Sequence, residues 1–82
     1  MTLAFVFVDC AQHQHSASIG RALREVQGVL EVYSTTGVYD LIVKVSADDE
    51  TKLQAIIASI KSVSGVMSAI TNIVYSAHEA SA

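Results

Sequence analysis

Apolar and polar positions alternate along this chain in blocks that change period, and the changes mark its elements. Residues 3–8 are apolar throughout, which predicts a first strand buried on both faces. Residues 9–15 are a polar connection. Ile19, Ala22, Leu23 and Val26 then fall at i, i+3, i+4 and i+7, the spacing of an amphipathic helix started by Ser16 or Ser18 and stopped by Gly28. Two β-branched runs, residues 29–36 and 39–45, meet at Gly37-Val38 and predict a tight antiparallel hairpin with Gly37 at positive φ. Ser46 or Asp48 is placed to cap a second helix with Asp48, Asp49 and Glu50 in its first turn, a stripe of Leu53, Ile56, Ile57 and Ile60, and Lys61 before Gly65. Residues 66–76 supply a fourth strand, and residues 78–82 a frayed tail behind a single domain of residues 1–77.

The order β-α-β-β-α-β, each helix leading through Gly28-Val29 or Gly65-Val66 into a strand, is a split βαβ arrangement. It predicts an α+β, ferredoxin-like sandwich: a four-stranded antiparallel sheet with two helices on one face. Strands one and three, apolar on both sides, take the centre. Two helices cover one face, so the other calls for a partner, most simply a second copy related by a two-fold axis.

Composition strengthens that expectation. At 82 residues the chain buries a small share of its surface, yet 51% of it is hydrophobic and mean hydropathy is +0.43. One cysteine, Cys10, excludes an intrachain disulfide, leaving oligomerisation as the external support. No signal peptide or membrane span is legible, and a cytoplasmic location with a reduced thiol is expected. Five basic residues against eight acidic ones give a net charge of −3, and the basic ones are scattered. A phosphate backbone needs a concentrated positive footprint, so direct nucleic-acid binding is not expected.

The chemistry concentrates around Gly37-Val38-Tyr39-Asp40, where a carboxylate follows a glycine and a tyrosine at a turn. Together with Gly28-Val29, the strand of residues 41–45, Gly65-Val66 and the strand segment Thr71-Asn72-Ile73-Val74, this motif resembles the ligand-sensing (RAM) domain of the Lrp/AsnC feast/famine transcription regulators. The resemblance covers nearly the whole chain and lacks the family's DNA-binding half, so a stand-alone sensing domain is expected. It implies an amino-acid effector held at a contact between dimers, further homo-oligomerisation and co-assembly with full-length regulators. It also implies a ligand site of Thr36, Gly37, Val38, Tyr39 and Asp40 with Ser68, Ala69 and Thr71 from the last strand. Ala69 stands where the family usually has threonine.

Other chemistries are weaker. Cys10, His13 and His15 contain metal-ligand types, but without a second cluster they are read as a solvated loop, and no metal or cofactor is expected. A Cys10 nucleophile with a histidine base lacks an orienting group, and no catalytic residue is assigned. A small cofactor-free oxygenase on the same dimeric architecture is the alternative function, but it needs polar groups in a core that here is Val, Ile, Leu and Phe. An ACT-type regulatory domain is the other, but its characteristic glycine between strand one and helix one is missing from residues 9–18.

Overall fold

The computed structural model describes residues 1–78. Its elements are β1 (Thr2–Cys10), a 3-10 turn (His13–His15), α1 (Ser16–Arg24), β2 (Val29–Ser34), β3 (Leu41–Ala47), α2 (Glu50–Ser62) and β4 (Val66–Ile73). The strands form one antiparallel sheet in the order β2-β3-β1-β4. β1 and β3 are central, as their apolar character on both faces requires, and the ferredoxin-like fold follows. The proposed tail, residues 78–82, lies outside the described residues except for His78.

Facing residues on neighbouring antiparallel strands point to the same side of a sheet. Ala4 faces Val45, Val6 faces Val43 and Val8 faces Leu41, and all six are fully buried under the helices. Leu23 of α1 and Leu53 and Ile60 of α2 close over them, also with no exposed surface. The stripe of α2 is the expected one. In α1 the buried positions are Ile19, Gly20 and Leu23, so Gly20 takes the place expected for Ala22, and Val26 packs against the core from beyond the helix end. A Cβ at 20 would meet Leu41 Cδ2 at 3.6 Å, an ordinary van der Waals contact, so α1 lies close on the sheet here.

Gly28 and Gly65 turn each helix into the next strand with φ of 99° and 95°. Each also lets the other helix approach: a Cβ on Gly28 would run into Ile56 Cδ1, and one on Gly65 would lie 2.6 Å from Ile19 Cδ1. Gly37 does neither, since among the described residues positive φ is confined to those two glycines and a Cβ at 37 meets nothing within 4 Å. The expected tight hairpin is therefore a wider loop, residues 35–40, between strands ending at Ser34 and starting at Leu41. The cap of α2 is likewise Asp49, whose side chain accepts from the Lys52 amide at 2.8 Å, rather than Ser46 or Asp48. Ser46 belongs to β3, and Asp48 pairs with the Lys52 ammonium at 2.9 Å.

Candidate functional site

The C-terminal ends of β1 and β2 and the N-terminal ends of β3 and β4 meet at one end of the sheet. Every residue assigned to the ligand site belongs to that end or just inside it. Loop 35–40 closes on itself through the Thr35 amide, which donates to the Asp40 carbonyl at 3.0 Å, and the Thr35 hydroxyl, which donates to the Tyr39 carbonyl at 2.5 Å. Thr36, Gly37 and Val38 form its exposed crest, Val38 at 88% exposure. Tyr39 turns back to Phe7, with ring centroids 5.3 Å apart and planes at 43°, a favourable tilted pair.

Asp40 fastens the loop to the sheet. Its amide donates to the Val8 carbonyl at 3.0 Å, and its Oδ2 accepts from the Cys10 amide at 2.8 Å. Its Oδ1 lies 2.5 Å from His13 Nδ1, and its side chain is only 18% exposed while that of His13 is 75% exposed. The Cys10 amide first, and His13 second, hold the Asp40 carboxyl below the usual aspartate range. Asp40 is thus a fixed anion at neutral pH. The expectation of a freely solvated segment at 9–15 gives way here: β1 runs on to Cys10, and His13 is bound to Asp40. His15 is exposed.

The second segment is split between the two faces of β4. Ser68 lies opposite Asp9 on the open face, and its hydroxyl donates to Asp9 Oδ2 at 3.2 Å. Ala69 and Thr71 lie opposite Val8 and Val6 on the helix face, and Ala69 packs against the core. Ser68 and loop 35–40 therefore flank the end of β1 from opposite sides. A shallow concavity at the same end is lined by Lys61, Val66, Met67, Ser68 and Ala69. A larger open cleft lies at the other end of the sheet, between Gly28, Ser46, Lys52 and Ile56, and holds none of the residues assigned to the site. It forms where the chain leaves β3 for α2, and its lysine is already paired with Asp48.

Burial, then the charges of Asp40 and Asp9, push the Cys10 thiol up, away from the thiolate a nucleophile needs. Among the described residues no three His, Cys, Asp or Glu side chains converge as a metal site would require. Nor is any described helix long and apolar enough to cross a membrane.

The open face of the sheet begins beside this end. One row across it is Tyr33, Ile42, Phe7 and Ile70, and the next is Glu31, Lys44, Phe5 and Asn72. Glu31 pairs with Lys44 at 3.3 Å and accepts from the Tyr33 hydroxyl, a polar island in an apolar surface. Phe7 belongs to this face and also touches Tyr39, so loop and face share one aromatic pair.

A family model described as the Lrp/AsnC ligand binding domain matches residues 3–81. The chain is similar, at 39% identity over 72 residues, to the homocitrate synthase of Sulfolobus acidocaldarius, a match that takes in 88% of this chain and 15% of that enzyme. It therefore spans about a seventh of the curated relatives it matches. Among solved structures, a protein of Thermus thermophilus is 32% identical with a TM-score of 0.87, covering 98% of this chain and 100% of the other. A feast or famine regulatory protein of M. tuberculosis, complexed with L-methionine, is 16% identical with a TM-score of 0.82 over 98% of this chain and 54% of its own, a likeness of fold.

Proposed function

The chain belongs to the Lrp/AsnC ligand-binding domain family, and on that premise we propose that it is a non-catalytic sensing and assembly module whose effector is an amino acid. The observation carrying the reading is the fixed carboxylate of Asp40 at the base of a loop whose Gly37, Tyr39 and Asp40 match the family's motif. A free amino acid carries an ammonium and a carboxylate. Each carboxylate oxygen has two lone pairs, so Asp40 retains acceptor capacity for the ammonium beside its two existing bonds. The exposed backbone of Thr36, Gly37 and Val38 offers donors to the ligand's carboxylate, with Ser68, Ala69 and Thr71 as the second wall. The L-methionine complex of the M. tuberculosis protein supports this ligand class.

Assembly is the other half of the proposal. A second copy covers the open face, and further dimers meet at loop 35–40, so an effector that binds the assembled state shifts the oligomer equilibrium by linkage. Full-length regulators of the family are the partners through which that shift would reach DNA, with no nucleic-acid contact from this unit, residues 1–77. Calorimetric titration with a panel of amino acids tests the reading. At least one should bind, and Asp40→Asn should weaken it by about tenfold or more, the size of a lost charge-assisted hydrogen bond. Equal affinity in the variant removes Asp40 from the site, and binding by none leaves an assembly module without an effector.

A second reading is favoured by the homocitrate synthase matches, in which the similar segment is a small part of an enzyme. Here the module answers to the same class of effector but controls a catalytic subunit instead of a DNA-binding one. Adding the purified chain to such an enzyme lacking its matching segment separates the two: a restored response of its activity to amino acids supports this reading, and no effect supports the first.

A further inference from the structure

We infer that His13 is the positioning residue of loop 35–40, acting through Asp40 and not on a ligand directly. The inference rests on the reading of that loop as one wall of the effector site. The crest, Thr36 to Val38, is exposed, so the loop's place depends on what holds its ends. Asp40 is held at both oxygens, Oδ2 by the Cys10 amide and Oδ1 by the His13 imidazole. Two bonds on opposite oxygens set the plane of the carboxylate, which one bond cannot do.

His13 is itself anchored. It opens a 3-10 turn in which the His15 amide donates to the Gln12 carbonyl at 2.9 Å, and the Ser18 hydroxyl of α1 donates to the His15 carbonyl at 2.9 Å. Just before it, the Ala11 amide donates to the Gly65 carbonyl at 2.8 Å, next to the start of β4. The connector of residues 11–15 therefore grips the β4 side of the site with its backbone and the loop side with one imidazole. The two walls that flank β1 are joined through it.

Amide hydrogen exchange on the ligand-free protein tests this. His13→Ala should lower protection of the Cys10 amide and of loop 35–40 by roughly tenfold, the size of one lost hydrogen bond to a charged group, with the core amides of β3 unchanged. His13→Asn, whose amide nitrogen reaches the place of Nδ1, should restore that protection. Wild-type protection in His13→Ala, or no recovery in His13→Asn, would overturn the inference. Titration of the same proteins with the amino-acid panel separates this from the effector reading: if wild type binds none while the exchange results hold, the reading fails and the positioning role of His13 stands.

Discussion

The two faces of the sheet both carry large apolar patches and have opposite fates. On the helix face, Ala4, Val6, Val8, Leu41, Val43 and Val45 are small or branched and fully buried. On the open face stand Phe5, Phe7, Tyr33, Ile42 and Ile70, with Tyr33 and Ile70 about half exposed at 47% and 49%. Compact side chains suit a surface on which helices must approach closely, whereas large flat and aromatic ones around a paired Glu31 and Lys44 have the make-up of a protein interface. One face holds the monomer together. The other is proposed to hold monomers to each other, and it reaches loop 35–40 through Phe7 and Tyr39.

Substitutions that attack one face at a time should divide accordingly. The largest effect is expected under the helices, where Leu53→Ala removes a fully buried side chain and should cost about 2–5 kcal/mol, a large share of the stability of so small a domain. Thermal or urea unfolding measures it. Gly28→Ala comes next, at roughly 2–4 kcal/mol by the same assay, because it combines a left-handed backbone with a Cβ driven into Ile56. Ile70→Lys should leave the stability of the isolated subunit within about 0.5 kcal/mol, as for other exposed positions. Its effect should appear in sedimentation, as the loss of assembly that wild type shows at the same concentration. Gly37→Ala should change neither by more than about 0.5 kcal/mol, since its φ is ordinary and the space around it is open.

The smallest effect sharpens the comparison at the boundary of the two faces. A carboxyl whose folded pKa is depressed contributes stability at neutral pH and loses it as pH falls through its folded value. For Asp40, held down by the Cys10 amide and His13, that loss falls below about pH 4, the ordinary aspartate value. Loop 35–40 should therefore lose exchange protection there before the helix face does, and simultaneous loss in both regions would show that Asp40 does not act locally.

Much of this was legible from periodicity. The central placement of β1 and β3 follows from runs apolar on both sides, and the stops at Gly28 and Gly65 from glycines behind helical stripes. Gly37 misleads because a glycine between two β-branched runs also matches a two-residue turn, and only the Thr35 to Asp40 closure distinguishes the wider loop. Ser46 and Asp48 both offer capping side chains ahead of the α2 stripe, yet Asp49 is the cap, and the buried face of α1 keeps Ile19 and Leu23 but takes in Gly20 instead of Ala22. The His13 pair with Asp40 spans 27 positions and joins segments brought together by the sheet, which no local pattern encodes. Ser68, Ala69 and Thr71 are one segment in the sequence, but the alternation of β4 divides them between faces.

The central claim, an effector-responsive assembly built on the open face, is tested most directly by native mass spectrometry at micromolar concentration, with and without the amino-acid panel. Even multiples of the 8.7 kDa chain are expected, redistributed toward larger species by at least one amino acid that remains bound. A population of 8.7 kDa monomers that no amino acid binds or shifts would contradict it.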